Sequence, residues 1–124
     1  MNMKYTDDHE WARPDGDLLV VGITDFAQQQ LGEVVFVELP EVDREVDQGE
    51  DTAVVESVKA AGEVKSPVSG TIVEVNETLA DTPEKVNEDP TGEGWFYKLR
   101  PSDPGQLEAL LDQEAYQTLV ESLA

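Results

Sequence analysis

The sequence contains no cysteine and only one histidine among its 124 residues. Without cysteine, the fold relies on neither disulfides nor thiolate metal sites, and cysteine-based catalysis is excluded. A Ser/His/Asp triad would have to be built around His9, and the Gly-x-Ser-x-Gly motif is missing. We therefore expect His9 to be a packed or hydrogen-bonded structural residue. A hydrolase would need a nucleophile and base that the sequence does not evidently supply.

Long hydrophobic runs are also missing, since runs such as Val34-Val35-Phe36-Val37 are far shorter than the roughly 20 residues of a membrane span. Residues 1–5 resemble neither a signal peptide nor a transit peptide, so we expect a cytoplasmic location. The length favours one compact domain over 1–124. We expect its core to span 18–99 and a helical segment to span 103–123.

Basic residues are scarce: 8 Lys and Arg stand against 28 Asp and Glu, a formal net charge of -20. Phosphate contacts need clustered Lys and Arg, so nucleic acid and anionic membranes are disfavoured as partners. The carboxylates are spread along the chain, which indicates a hydrated surface rather than one binding patch. Such self-repulsion is tolerated best where salt screens it, and we hypothesise a high-salt cytoplasm.

What the sequence does contain is a series of short β-rich runs separated by turn residues, which predicts a mainly β protein. The predicted strands are Leu18 to Ile23, Val34 to Leu39, Thr52 to Val58, Gly62 to Val64, Thr71 to Val75 and Trp95 to Leu99. A short helix is predicted over 25–31, capped by Asp25 with Gln28 three residues later and ended by Gly32.

Helices are also predicted at the C-terminus, where Asp103-Pro104 is a start signal completed by Gln106. Asp112 is placed to interrupt this helix and cap a second one. Apolar residues near i, i+3, i+4 spacing predict a stripe that packs on the sheet. They are Leu107, Leu110, Leu111, Tyr116, Leu119, Val120 and Leu123.

The middle of the chain shows a faint internal repeat. Segments 32–37, 45–49 and 54–56 are echoed by 70–75, 85–89 and 95–97, and each copy reads strand, turn-rich crossing, strand. Two such halves predict a flattened barrel of two sheets with quasi-twofold symmetry, because one half alone cannot bury its apolar face. An accidental likeness between β-rich segments is the alternative.

Lys59 lies in the join between the two copies, at a bend between one apolar strand and the next. A lysine flanked there by Ala60 and Ala61 is accessible to a modifying enzyme, and acylation would convert its cationic end into a neutral tether. Residue type and position alone favour an ordinary solvated lysine, since the chain has four other lysines. Another candidate, the carboxylate-rich segment 87–94, lacks the spacing of a calcium loop and is interpreted as a turn.

Several motifs of this chain resemble, in order, the glycine cleavage H-protein family. They are Tyr5-Thr6-Asp7-Asp8-His9-Glu10-Trp11, Gly22-Ile23-Thr24-Asp25-Phe26-Ala27, segment 31–40 from Leu31 to Pro40, Val55-Glu56-Ser57-Val58-Lys59-Ala60, Pro67-Val68-Ser69-Gly70 and Val86-Asn87-Glu88-Asp89-Pro90. The resemblance runs from residue 5 to about residue 120. It implies a barrel-sandwich hybrid, or hammerhead, fold with lipoate joined by an amide bond to Lys59.

Two carrier families with the same fold differ from this sequence. Biotinyl carriers usually flank their lysine with methionines, whereas Lys59 lies between Val58 and Ala60. Lipoyl domains of 2-oxoacid dehydrogenases typically read Asp-Lys-Ala, are about half this length, and lack the His-Glu-Trp segment and the C-terminal helices.

The resemblance implies a carrier in glycine catabolism and one-carbon metabolism rather than an enzyme. The implied partners are a pyridoxal-phosphate glycine decarboxylase, a tetrahydrofolate-dependent aminomethyltransferase, an FAD-containing dihydrolipoyl dehydrogenase and the enzymes that attach lipoate. The lipoyl arm would carry the aminomethyl group of glycine between the first two. A lipoyl relay or storage protein that supplies other lipoyl enzymes, or a plain scaffold with a free lysine, are the alternatives.

The resemblance also points to residues that hold the loaded arm in a water-excluding cleft. Glu10 matches a family position near the arm and is the candidate partner of its cationic amine. A solvated carboxylate is the alternative for Glu10. Glu63 falls where relatives often have aspartate, so it is a second candidate with one additional methylene.

Overall fold

The computed structural model describes residues 3–123. Met1, Asn2 and Ala124, at the ends of the domain predicted over 1–124, lie outside the described residues. In chain order the strands are β1 (Lys4–Tyr5), β2 (Glu10–Asp15), β3 (Leu18–Ile23), β4 (Val34–Glu38), β5 (Glu45–Val46), β6 (Asp51–Ser57), β7 (Ala61–Lys65), β8 (Gly70–Val75) and β9 (Tyr97–Pro101). The helices are α1 (Asp25–Leu31), α2 (Thr78–Asp81), α3 (Lys85–Glu88), α4 (Pro104–Glu108) and α5 (Gln113–Leu123).

The strands form two antiparallel sheets, which confirms the predicted mainly β class. The larger sheet has the spatial order β1-β2-β3-β9-β8-β5 and the smaller one β4-β6-β7. Apolar residues from both sheets, including Val21 and Leu99 of the larger and Val37 and Val55 of the smaller, form one buried cluster. The two sheets therefore enclose a common core, as in a sandwich.

The predicted strands are present, but β1, β2 and β5 and the helices α2 and α3 were not predicted. β2 contains charged residues and Pro14, a poor β composition. It nevertheless pairs with β3 along its whole length. Its other edge is paired with β1 only at Trp11 and Ala12, so Pro14 is tolerated on the unpaired part of that edge. β9 begins at Tyr97 rather than at Trp95, because the Trp95 N–H closes a turn with the Gly92 carbonyl at 3.3 Å.

The internal repeat is visible in the pairing. β4 pairs with β6 in one sheet and β8 with β9 in the other. Both pairs have a bulge at equivalent places, between Val34 and Phe36 and between Ile72 and Glu74. In the second strand of each pair, the structure departs from the sequence repeat by one residue. The repeat aligns Val55 with Phe96, but Val37 pairs with Val55 whereas its counterpart Val75 pairs with Tyr97.

Helix α1 ends where predicted but is capped by a different residue. The Thr24 hydroxyl accepts the Ala27 N–H at 3.2 Å, so the predicted Asp25 cap is wrong. Strand β3 ends at Ile23, so Thr24 alone separates it from the helix, and Asp25 is the first helical residue. Its carboxylate accepts hydrogen bonds from the side chains of Gln28 and Gln29. Gly32 ends the helix at φ 79°, a conformation that favours glycine.

The C-terminal helices begin at the predicted caps, since Asp103 accepts the Gly105 N–H and Asp112 accepts the Ala115 N–H. The predicted role of Gln106 in the cap is wrong, because its side-chain oxygen accepts the Ser69 N–H at 2.6 Å instead.

The predicted apolar stripe of the C-terminal helices packs only in part. Tyr116 is its one buried residue, whereas Leu123 is 56% exposed.

Segment 87–94, predicted as a turn, is a turn from Pro90 to Gly94 but begins inside α3. Its Asn87 joins three parts of the chain. The side-chain oxygen accepts the Val34 N–H at 2.8 Å, and the amide donates to the Gly32 carbonyl at 2.8 Å and to the Gln28 side chain at 2.9 Å. Asn87 thus fixes the corner at which α1 turns into β4.

We predict that Asn87→Ala lowers the free energy of unfolding by about 2 kcal/mol, because it leaves backbone groups at this corner without partners. Asn87→Asp keeps the acceptor for Val34 but sets a carboxylate oxygen against the Gly32 carbonyl, so it should also be destabilising. Urea denaturation of the three proteins measures the difference. Equal stability of the wild type and the Ala variant would show that the corner does not depend on Asn87.

Candidate functional site

The loop between β6 and β7 is a hairpin whose outermost residues are Val58 and Lys59. The Ser57 N–H donates to the Ala60 carbonyl at 2.7 Å. The Ser57 hydroxyl oxygen accepts the N–H groups of Ala60 at 3.0 Å and Lys59 at 3.3 Å. This side chain satisfies the turn, which explains why the bend needs neither the glycine nor the asparagine of common two-residue loops.

Lys59 is exposed at the tip of this hairpin, in agreement with its predicted accessibility. The Val58 N–H donates to the Glu33 carbonyl at 3.0 Å and so joins the tip to the corner after α1. A Cβ added to Gly32 would lie 3.2 Å from the Lys59 Cε, so the lysine side chain lies directly over the glycine. Among residues 3–123, no carboxylate forms an ion pair with the Lys59 amine.

A cleft of about 450 Å³ lies along β7, beginning two residues beyond Lys59. Its lining residues are Asp8, Glu10, Val54, Ala61, Gly62, Glu63 and Lys65. Glu10 and Glu63, which are distant in sequence, therefore meet in one cleft beside the Lys59 hairpin. Three carboxylates against one lysine make this cleft suited to a cationic amine.

Glu10 is buried, with 3% of its surface exposed, so the alternative of a solvated carboxylate is wrong. Burial raises the pKa of its carboxyl group to about 7, although hydrogen bonds from Thr6 and from the Lys65 backbone oppose the shift. The Thr6 hydroxyl donates to Oε1 at 2.7 Å, and the Lys65 N–H donates to Oε2 at 3.3 Å. Oε2 has the weaker partner and is therefore the oxygen better able to accept another donor.

The direction of the Thr6 hydrogen bond is fixed by the loop that precedes β2. The Thr6 hydroxyl oxygen already accepts the backbone N–H groups of Asp8 at 3.2 Å and Glu10 at 3.1 Å. Its single proton is therefore left for the Glu10 carboxylate. His9 makes this tight loop possible by adopting φ 70°.

His9 is a structural residue, as predicted. Its Nδ1 lies 2.9 Å from the Tyr116 hydroxyl, and its ring packs against Phe26 with centroids 4.6 Å apart. Burial lowers the pKa of His9. The Tyr116 hydroxyl also lies 2.7 Å from the Thr24 hydroxyl, so α5 is joined to the start of α1.

Glu63 is exposed on β7, opposite Val54 of β6. A hydrogen bond with the Asp51 carboxyl raises the pKa of Glu63, and repulsion between the two like charges adds to the shift. The two candidate carboxylates thus differ, since Glu10 is buried and held by hydrogen bonds whereas Glu63 lies at the solvent edge of the cleft.

Three other residues of the cleft region have no signal in the sequence: Thr6, Asp8 and Lys65. Only the fold brings Lys65 to the loop before β2.

Chemically, the geometry fits an acyl group on Lys59. Lys59 is exposed and so accessible to acylation, and the cleft that begins at Ala61 of the same hairpin is lined by acidic groups. No set of three His, Asp or Glu side chains placed to hold a metal ion is found within residues 3–123. In the same range, no helix is long and apolar enough to cross a membrane.

A two-sheet β fold with an exposed lysine at a hairpin tip defines the class of carrier domains with a barrel-sandwich fold. The model of the glycine cleavage H-protein family matches residues 3–123. A glycine cleavage system H protein of Thermus thermophilus is 60% identical over 120 residues, covering 97% of this chain and 94% of that protein. The counterpart from Parvibaculum lavamentivorans is 57% identical over 122 residues, covering 98% of each chain.

The fold is also that of a solved relative. The crystal structure of a glycine cleavage system H protein from Mycobacterium marinum superimposes with a TM-score of 0.88 at 39% identity, covering 97% of both chains. The chain belongs to the glycine cleavage H-protein family. It is therefore a non-catalytic lipoyl carrier of the glycine cleavage system, in which lipoate is borne on a lysine.

The buried carboxyl group of Glu10 has a consequence for stability. The folded protein keeps this proton up to about pH 7, whereas the unfolded chain loses it near the ordinary pKa of 4.5. Between these values the folded state binds more protons, so stability falls as the pH rises. We predict that Glu10→Gln removes this contribution, and that the wild type loses on the order of 3 kcal/mol relative to the variant across the window.

Urea denaturation of both proteins from pH 4.5 to pH 8, at constant ionic strength, measures this difference. The other carboxylates are common to the two proteins and cancel in the comparison. A stability difference that does not change with pH would mean that Glu10 titrates normally.

Proposed function

We propose that Lys59 is the residue that bears the lipoyl group. One observation carries this proposal: Lys59 is exposed at the tip of a hairpin, and a cleft that holds a buried carboxylate begins two residues further along the same hairpin, at Ala61. Lys65, by comparison, is half-buried in the cleft wall, and its backbone N–H is occupied by Glu10. Residues 1–124 then act as one carrier domain in the cytoplasm, with Lys59 at its exposed end.

A bound lipoyl group supplies a disulfide that takes up the aminomethyl group of glycine on reduction and later gives it up. The protein's part is to hold and shelter the cargo. Glu10 accepts a hydrogen bond from the cationic amine, and the Thr6 hydroxyl holds the Glu10 carboxylate in the required orientation. Glu63 lies at the solvent edge of the cleft and adds a second negative charge.

The partners of this carrier are then the enzymes that load, unload, reoxidise and attach the arm. We assign these roles to a pyridoxal-phosphate glycine decarboxylase, a tetrahydrofolate-dependent aminomethyltransferase, an FAD-containing dihydrolipoyl dehydrogenase and a lipoyl-attaching enzyme. The net charge of -20 favours basic patches on these partners, which accelerate encounter. Salt weakens that steering.

We predict that Lys59→Arg abolishes glycine cleavage in a system reconstituted from the three enzymes, because arginine keeps the positive charge but offers no amine for the amide bond. NADH production from glycine is the measurement. The matched control is Lys98→Arg, on β9 of the larger sheet and outside the cleft, which should still support turnover. If the Lys59 variant were active after lipoylation treatment, another residue would be the attachment site.

We also predict that Glu10→Gln speeds loss of the bound aminomethyl group by about tenfold, since it removes the charged partner of the amine. The rate of formaldehyde and ammonia release from the loaded carrier measures retention. Glu121→Gln, an exposed change on α5, is the control. Retention in the wild type should weaken as the pH falls, because protonation of Glu10 removes the charged partner; the bound cation moves this loss below the pKa of about 7 that Glu10 has in the empty cleft. Unaltered release rates in the Glu10 variant would remove this residue from the arm site.

A further inference from the structure

Strand β4 presents two adjacent apolar side chains to solvent. Val35 and Phe36 are each 48% exposed, whereas Val34 and Val37 on either side of them are buried. The cause is the bulge between Val34 and Phe36, which inserts an extra residue and interrupts the alternation of inward and outward side chains. Large apolar residues placed outward in this way are characteristic of interaction surfaces.

This apolar pair lies beside the Lys59 hairpin. Phe36 pairs with Glu56, three residues before the lysine, on the outer face of the smaller sheet. At the other end of β4, the Glu33 carbonyl accepts the Val58 N–H, and Val58 is itself 68% exposed. Val35 and Phe36 thus lie on the strand that pairs with β6, and Val58 lies at the tip next to Lys59; the three residues are together called the apolar patch below.

The charges around the apolar patch are of one sign. Glu38 and Glu56 are exposed on β4 and β6, Glu33 is exposed just before β4, and Lys59 is the only cationic residue within 32–38 and 54–61. Interfaces commonly have an apolar centre and a polar rim. Charge complementarity then requires a partner surface with an apolar centre and a basic rim.

The acylation of Lys59 indicates which partner covers the apolar patch, because the acylating enzyme must contact the lysine amine. The Nζ attacks the carbonyl carbon of an activated acyl donor, such as an acyl adenylate or acyl thioester. The amide bond forms, the bond to the activating group breaks, and the amine loses a proton to solvent. No atom is oxidised or reduced. The enzyme must bring its bound donor into contact with Nζ, so it necessarily covers the surface around Lys59.

We propose that the apolar patch is the docking anchor for the enzyme that acylates Lys59, and that this enzyme offers an apolar pocket bordered by Lys and Arg side chains. The proposal rests on the proposed attachment at Lys59 and adds the surface that is recognised. Phe36 is its central residue because aromatic side chains contribute most to binding at such anchors.

The test uses the full-length apoprotein, a purified lipoyl-attaching enzyme and lipoyl adenylate, with mass spectrometry to follow the acylated protein. We expect Phe36→Ser to raise KM by about tenfold with little change in kcat, since the residue acts in binding. Phe36→Leu, which keeps an apolar side chain, should remain near the wild type. Val42→Ser is the matched control, because Val42 is 47% exposed but lies in the loop before β5.

A Phe36→Ser protein with the same KM as Val42→Ser, both with wild-type thermal unfolding, would overturn the docking proposal. A Phe36→Leu protein as impaired as Phe36→Ser would also overturn the apolar-anchor role. Failure of the underlying attachment proposal looks different. In that case the wild type itself would acquire no lipoyl group on Lys59, whatever residue stands at position 36.

Discussion

The functional end of this molecule depends on how the β6–β7 hairpin rests on the corner between α1 and β4. One backbone hydrogen bond, from Val58 to Glu33, joins the two. The Lys59 side chain lies over Gly32, whose positive φ ends the helix and whose missing Cβ leaves room for the lysine chain. Asn87 holds the same corner from the other side. The exposed Lys59 side chain thus extends from a corner that hydrogen bonds hold on two sides, which suits the base of a carrier arm.

A second constraint is the burial of Glu10, which costs stability near neutral pH and is retained nonetheless. The cost makes sense for a carboxylate that must recognise a cationic amine away from water. The Thr6 hydroxyl and the Lys65 backbone N–H keep the group oriented, and the charge of the half-buried Lys65 side chain offsets only a small part of the effect of burial on its pKa. A neighbouring buried lysine or arginine would neutralise Glu10 permanently and leave it less able to bind the cargo. The arrangement therefore fits temporary capture of a positive charge.

Much of this could be predicted from the sequence, because the signals are local. Short β-rich runs between turn residues indicated six of the strands, Gly32 indicated the helix end, and small residues next to Lys59 indicated an accessible bend. The prediction of Asp25 as the helix cap was wrong: Thr24 is the cap, and threonine and aspartate are both good residues for that position.

The parts that could not be predicted depend on long-range contacts. β2 has a poor strand composition and is formed by its pairing with β3, so neither the strand nor the burial of Glu10 has a local signal. The meeting of Thr6, Glu10 and Lys65 likewise follows from the packing of the loop before β2 against β7. The Ser57 side chain that closes the hairpin replaces the usual turn residues, and a propensity rule does not anticipate it. The bulge that exposes Phe36 belongs to the same class of tertiary effects.

The most direct test of lipoate attachment at Lys59 is mass spectrometry of the protein purified from its native host, on the intact chain and on its peptides. We predict a lipoyl adduct confined to the peptide that contains Lys59. A bare Lys59, in cells shown to lipoylate other proteins, would contradict it.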